Sequence, residues 1–280
     1  MKFLVAGGNG LVGSKLIEEL SKNNKVFATY RKKNNLKKLK NLKWINIKDL
    51  GERKLKVDVI INCIVVHPNS INKSYNDYIN ANVFSAVKLI DFFKKNDSKI
   101  FFNFSTISVY KKELIGLISE SGEKNYENIL SVTKLMFEEI LFNSKINYIN
   151  LRLPSVINFE NNRFNWINKF YCDLKNNKTL KIINPQNIIN ELIDTKEIIR
   201  FINHVLKNKK TKKMETINFV PSNGMVLKKI VKKMKQKLQS KSKIKYKYTK
   251  IKKKMYCSRR IKEIFKFNIT DMEKILIRNL

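Results

Sequence analysis

Apolar and polar positions follow two rhythms along this chain: short solid apolar runs, and longer stretches with helical spacing. Phe3 to Ala6 is an unbroken apolar run, and Leu11, Leu16, Ile17 and Leu20 then recur at helical spacing. The pair predicts a buried first strand feeding a helix. Lys25 to Tyr30 predicts a second strand and Trp44 to Ile47 a short third. Asp58 to Val66 is nearly continuous in apolar residues, as in a strand covered on both faces. A helix is predicted from about Tyr75 to Lys94, with Asn82, Ala86, Leu89 and Phe93 on one face. Ile100 to Phe104 predicts the fifth strand, which runs into Ser105-Thr106-Ile107-Ser108-Val109-Tyr110. Strands alternating with helices through short links predict an α/β chain built on a Rossmann-like, doubly wound parallel sheet. Ligands of such a sheet sit beyond the carboxyl ends of its strands.

From about Asn158 the pattern gives way to shorter segments. The expected division is a dinucleotide-binding domain over 1–157 and a small C-terminal substrate lobe over 158–280, with a segment near 190–220 returning to the sheet. Phe164 to Leu174 predicts an amphipathic helix bearing Trp166, Phe170 and Tyr171. Core packing explains those aromatics better than a sugar pocket does. Thr195 is expected to cap a helix running to Lys207, with Glu197 in its first turn. Ile230, Val231, Met234 and Leu238 then give a helix with one buried stripe, and Tyr246 and Tyr248 alternate with Lys245 and Lys247 as in a strand.

Composition changes this picture little. At 280 residues and 43% hydrophobic content the chain can bury a sizeable core. No apolar run is long enough to span a bilayer, and the N-terminus reads as the first strand rather than a signal peptide. Cys63, Cys172 and Cys257 are widely spaced and suit neither a disulfide framework nor a metal site, so a cytoplasmic location is expected. His67 and His204 are likewise far apart. The formal charge of +35 invites a nucleic-acid or membrane reading. Lysines are scattered through nearly every segment, however, and arginine, the usual reader of bases, is scarce. A solvated lysine-rich surface that attracts anionic small molecules is the better reading. Nucleic acid is disfavoured as a partner, with Lys228 to Lys254 the stretch on which polyanion or membrane-surface binding would rest.

The candidate chemistry starts at the first turn. Gly7, Gly10 and Gly13 form G-x-x-G-x-x-G between a strand and a helix, and Leu11 and Val12 open that helix. The first glycine allows the tight turn, the second lets backbone approach a pyrophosphate, and the third lets helix and strand pack closely. An NAD site places Asp or Glu at the end of the second strand, but here Arg31-Lys32-Lys33 follows Tyr30. The missing acid favours NADP, whose 2′-phosphate Arg31 can pair with; NAD stays possible. Asn62, Ser105 and Thr106 lie near strand ends, and Thr106 taken alone reads as a cap on the following turn.

Several stretches together resemble the extended short-chain dehydrogenase/reductases, the NAD-dependent epimerase/dehydratase group that acts on nucleotide sugars. They are Gly7 to Gly13, Asp49-Leu50, Asn82-Val83, Ser105 to Tyr110, Leu151 to Val156, Glu191 to Asp194 and Ile217 to Phe219, in order over nearly the whole chain. The resemblance implies that Gly7, Gly10, Gly13 and Arg31 contact the cofactor, with Asp49 and Leu50 by the adenine and Asn82 on the nicotinamide side. It implies that Thr106 hydrogen-bonds the reacting hydroxyl or carbonyl, and that a four-helix contact can pair two copies. It also implies a role in surface polysaccharide synthesis. Ser155 stands where the family often carries a substrate-touching Asn, and Arg163 and Lys181 are candidates for a substrate diphosphate.

One departure matters. The family's Tyr-x-x-x-Lys pair puts a phenol and an ammonium one turn apart, the lysine binding the nicotinamide ribose and lowering the phenol's pKa. Here the segment is Leu130-Ser131-Val132-Thr133-Lys134: the lysine is present and leucine takes the place of tyrosine. Tyr126 lies one turn earlier on the expected helix, displaced by roughly 6 Å. Tyr110 and Ser131 are the other hydroxyls nearby. The expectation is a nucleotide-sugar enzyme working by hydride transfer with an altered proton donor. The alternative is a catalytically impaired NAD(P)-binding regulatory or structural protein.

Overall fold

A computed structural model describes residues 1–33, 36–66, 73–157, 159, 165–208, 214–249 and 254–280. Its first strands are β1 (Lys2–Ala6), β2 (Lys25–Tyr30), β3 (Leu42–Asn46), β4 (Val59–Asn62) and β5 (Ile100–Thr106). Next come β6 (Gly116–Ile118), β7 (Tyr148–Leu153), β8 (Ser155–Val156), β9 (Leu180–Ile183) and β10 (Ile188–Ile189). The chain then forms β11 (Leu192–Ile193), β12 (Met214–Asn218), β13 (Met225–Val226), β14 (Ile244–Lys247) and β15 (Lys254–Tyr256). The helices are α1 (Leu11–Leu20), α2 (Tyr75–Ile79), α3 (Ser85–Lys95), α4 (Ile129–Asn143) and α5 (Trp166–Lys175). After them follow α6 (Thr195–Lys207), α7 (Leu227–Lys237), α8 (Arg259–Phe265) and α9 (Met272–Ile277).

Seven strands form one sheet in the order β12-β7-β5-β4-β1-β2-β3. β1 pairs in parallel with β2 on one side and β4 on the other, and β2–β3 and β4–β5 are parallel as well. The chain winds outward in both directions from β1, so the strand order reverses between β1 and β4. A doubly wound sheet offers its ligand crevice at that reversal. The expected solid runs are the ones buried: Phe3 to Ala6, Val59 to Ile61 and Phe101 to Phe102 are at most 1% exposed. The predicted helix over 75–94 forms as α2 and α3, joined through a π-helical turn at Asn80–Phe84. Ala86, Leu89 and Phe93 on its inner face are buried with Phe101 and Phe137.

The chain forms two compact units, woven from three segments each. The first comprises Met1–Tyr110, Lys124–Arg152 and Ile202–Ile217, and the second Lys111–Glu123, Leu153–Phe201 and Asn218–Leu280. The first unit holds the large sheet. Among the described residues of the second lie four small two-stranded sheets, of which β6–β15, β8–β11 and β9–β14 are parallel, although Lys111–Glu123 and the C-terminal segment are far apart in sequence. Phe201 packs there against Phe219, Phe265 and Phe267, with ring centroids 5.1–5.2 Å apart. The cap of α6 falls one residue earlier than expected: Asp194 Oδ1, not Thr195, accepts from the Glu197 N–H. The Asp194 carboxylate also receives Arg278 at 2.6 Å, so it serves helix and ion pair together. The predicted helix at 164–174 is α5, where Ile167 and Leu174 are fully buried while Trp166 and Phe170 meet edge-on at its margin.

Candidate functional site

β1 ends in a turn that only glycine can make. Gly7 has φ +80°, and a Cβ there would press on the Cys63 carbonyl and the Ile64 nitrogen at 3.1 Å. Its N–H is taken by Thr29 Oγ1 at 3.2 Å, and its carbonyl accepts from the Gly10 N–H at 2.9 Å. At Gly13 a Cβ would lie 2.2 Å from that same carbonyl oxygen, so α1 can settle on the turn only with hydrogen at this position. Gly10 is the N-terminal flanking residue of α1, and no side chain caps the helix. Amides of the first turn are thereby left for an anionic ligand, and Leu11 and Val12 sit half-buried at its rim. A bare cradle of this form fits a dinucleotide pyrophosphate.

Arg31 is exposed at the end of β2, and no carboxylate follows in the described residues of that connection. Asp49 and Leu50 lie in a 3-10 turn (Ile47–Glu52) after β3, with Leu50 fully buried and Asp49 half-buried. Asn82 is buried in the π turn. Its Oδ1 accepts from the Val66 N–H at 2.9 Å and its Nδ2 donates to Thr133 Oγ1 at 3.0 Å. It therefore ties the segment after β4 to α4, at the residue just before Lys134. A π turn inside a helix commonly marks a functional position.

Lys134 is the centre of this arrangement. It is 3% exposed, and its Nζ donates to the Ile64 carbonyl at 3.0 Å and the Phe104 carbonyl at 2.9 Å. The ammonium group thus bridges the ends of β4 and β5, and Ile64 also borders the glycine turn through Gly7. Burial pushes its pKa from 10.5 down to about 8, against the opposing pull of Cys63 and Glu138. Burial likewise pushes the Cys63 thiol up, with Lys134 drawing it back down. Leu130, one turn earlier, is 5% exposed and packed as a core residue.

Other hydroxyls are committed elsewhere. Thr106 Oγ1 accepts from the Ser108 N–H at 3.1 Å and caps the short turn Ile107–Val109, half-buried at the end of β5. Ser131 donates to the Ser108 carbonyl at 2.6 Å. Tyr110 is buried, and its oxygen accepts from Arg152 at 2.7 Å. Tyr126 lies before the helix expected to carry it. Asn128 caps α4 through the Ser131 N–H, so the helix begins beyond Tyr126, which stands 69% exposed and off the helix face.

The sequence reading missed the network beneath. Glu138, one turn after Lys134, forms an ion pair with Arg152 at 2.6 Å, both side chains at most 7% exposed, and accepts from Ser105. Asn62 donates to Asn103, Asn103 to Asn150, and Asn150 to Thr216, a polar rung across β4, β5, β7 and β12. Charged and amide residues inside otherwise apolar strands were the available signal, since buried polar groups require partners. Ser155 lies in β8 of the second unit, where its N–H donates to the Glu191 carbonyl at 3.2 Å. Arg163 lies outside the described residues. Lys181 is exposed on β9. Among the described residues no group of His, Cys, Asp and Glu is placed to hold a metal ion, and no helix is long and apolar enough to cross a membrane.

The NAD dependent epimerase/dehydratase family model matches residues 3–219, from β1 through β12. The chain belongs to that family. No curated protein matches it. Solved structures share its fold at low identity. The UDP-glucuronic acid 4-epimerase of Bacillus cereus, in complex with UDP-glucuronic acid and NAD, is 19% identical with a TM-score of 0.82, over 99% of this chain and 97% of that one. WbmG of Bordetella bronchiseptica, in complex with NAD, is 16% identical with a TM-score of 0.84, over 100% and 92%. The UDP-N-acetylglucosamine 4-epimerase of Methanobrevibacter ruminantium M1, in complex with UDP-N-acetylmuramic acid, is 20% identical with a TM-score of 0.82, over 99% and 96%. As a member of the epimerase/dehydratase family, this chain carries the expected glycine turn and helix lysine with leucine at position 130.

Proposed function

We propose that this protein binds a nicotinamide adenine dinucleotide at the Gly7–Gly13 turn and modifies a nucleotide-linked sugar by hydride transfer, as an epimerase, dehydratase or reductase. The observation that carries this reading is the continuity of the cradle with Lys134: Gly7 abuts Ile64, whose carbonyl receives the lysine. The NAD and UDP-sugar complexes of the structurally similar epimerases support it. When bound, the nicotinamide ring supplies a hydride acceptor and donor beside a sugar carbon.

The residues of this chain would do the rest. Amides of the first α1 turn bind the phosphates, and Lys134 holds the nicotinamide ribose. Arg31, in a connection after β2 that carries no acid, favours the 2′-phosphate of NADP, while the similar structures hold NAD. Thr106, at the half-buried end of β5, reaches the reacting oxygen by turning its hydroxyl from Ser108 Oγ to the substrate while still accepting from the Ser108 N–H. Without a phenol at 130, the proton falls to Lys134. As an ammonium its third N–H is left for the ribose; as a neutral amine it keeps both N–H bonds to Ile64 and Phe104, and its lone pair can take a proton. A pKa of about 8 suits that exchange near neutral pH.

Titrating the protein with NADPH and NADH, then assaying UDP-sugar turnover with and without Leu130→Tyr, tests the proposal. Binding followed by turnover that Lys134→Met abolishes is the expected result, and no affinity for either coenzyme overturns it. Leu130 itself favours a second reading, a dinucleotide-binding protein without turnover. An inert parent that Leu130→Tyr switches on would establish that reading instead.

A further inference from the structure

The lysine excess is not spread evenly. Residues 227–254 carry fourteen of the chain's 58 Lys and Arg and none of its 23 Asp and Glu, so their net charge per residue is about six times that of the remainder. A compositional drift toward lysine acts on the whole chain and does not concentrate charge in this way. α7 buries Ile230, Val231 and Met234, which turns its lysines outward. Lys228 lies over the Tyr246 ring at 5.3 Å and Lys235 donates to the Ser242 carbonyl at 2.7 Å, so α7 and its connection pack beside β14. Lys228, Lys229, Lys232, Lys237, Lys241, Lys243, Lys245 and Lys247 are all exposed. Among the described residues of α7 and β14, Lys233 with Glu273 makes the only ion pair to a carboxylate. Like charges crowded together repel one another, so the arrangement weighs on stability unless an anion covers it.

The neighbouring uncharged groups identify the anion. β14 pairs with β9, setting Lys247 beside Ile183, which is 57% exposed. Tyr246 and Tyr248 are 39% and 63% exposed on the same stretch, and Ile188, paired with Val226 just before α7, is 47% exposed. Exposed aliphatic side chains gain nothing from a phosphodiester backbone. Tyrosines and isoleucines set among lysines gain from the boundary between lipid headgroups and acyl chains. The segment also holds no arginine, the residue best suited to bidentate contacts with bases and phosphates. We propose that the α7–β14 face docks this protein on an anionic phospholipid bilayer, lysines on the headgroups and Tyr248, Ile183 and Ile188 at the interface. This claim is independent of dinucleotide binding and of turnover.

Each lysine held near an anionic leaflet strengthens binding about fivefold, an effect that salt removes. The test is sedimentation of the full chain with phosphatidylcholine vesicles, with and without about one third phosphatidylserine. Expected is pelleting with the anionic vesicles alone and release as salt rises. The variant Lys228→Glu/Lys232→Glu/Lys245→Glu/Lys247→Glu, checked for folding by its circular dichroism melt, should lose at least a hundredfold in affinity by the same reckoning. An equally large change on another surface, Lys38→Glu/Lys40→Glu/Lys43→Glu/Lys48→Glu, should leave most of the binding. Equal losses in the two variants would mean that net charge, not this face, governs adsorption, and would overturn the proposal. So would absence of vesicle binding, or tight binding of a single-stranded RNA oligonucleotide with no vesicle binding.

Discussion

Removing the charge of Lys134 should change how stability depends on pH. Its folded pKa, about 8, lies below the ordinary 10.5 because burial disfavours the ammonium. Below about pH 8 the lysine is protonated both folded and unfolded, and the cost of burying its charge is present in full. Between about 8 and 10.5 the folded chain is neutral there while the unfolded chain still binds the proton, so stability rises with pH. Above 10.5 the cost is gone. The gap is worth about 3 kcal/mol in all, of which about 2.5 kcal/mol falls between about pH 7 and pH 10. Wild type alone does not isolate the effect. The difference between wild type and Lys134→Met does. Methionine leaves the Ile64 and Phe104 carbonyls without their donor, a cost of about 1–3 kcal/mol each, but that cost does not titrate and drops out of the slope. Urea unfolding at a series of pH values should therefore show wild type gaining about 2.5 kcal/mol on the variant between about pH 7 and pH 10. A difference that stays flat across the range would refute the buried, depressed lysine.

Gly13→Ala forces a Cβ to 2.2 Å from the Gly7 carbonyl and should cost about 1–3 kcal/mol in urea unfolding, whereas Gly51→Ala, with open space around it, should cost far less. Coenzyme affinity, read by fluorescence titration, should fall with Gly13→Ala and hold with Gly51→Ala. Arg152→Leu strands the buried Glu138 carboxylate and should destabilise by about 3–5 kcal/mol, much of it recovered in Arg152→Leu/Glu138→Leu. A loss under about 1 kcal/mol would show the pair to be well solvated. Arg31→Asp should shift the NADPH-to-NADH affinity ratio at least tenfold toward NADH, and an unchanged ratio would remove Arg31 from cofactor selection.

The sheet was legible because its strands are covered on both faces and so lack alternation, and the glycine spacing marked where β1 must turn. What the spacing of apolar residues does not carry is the hydrogen-bond pattern within a helix. The stretch 75–95 shows one apolar face whether its turns are α or π, so the widened turn that presents Asn82 was invisible. Helix ends were misjudged for a related reason. Residue spacing continues the α4 face back to Tyr126, but Asn128 accepts from the Ser131 N–H and starts the helix after it. Asp194 takes the cap of α6 from Thr195 because its carboxylate also neutralises Arg278, a partner 84 residues away.

The site shows the same division more sharply. Lys134 was recognisable by position, yet its partners are main-chain carbonyls 70 and 30 residues distant, which no side-chain pattern encodes. Those carbonyls explain how a cation survives among apolar neighbours. A tyrosine at 130 would place a polar, ionisable group one helical turn from the ammonium. Leucine fills that space with hydrocarbon, and the nearby acidic groups opposing burial are Cys63, whose thiol resists ionisation, and Glu138, already paired with Arg152. Burial therefore holds the lysine at about 8, and the residue one turn before it, Leu130, is hydrocarbon that offers the ammonium no polar partner.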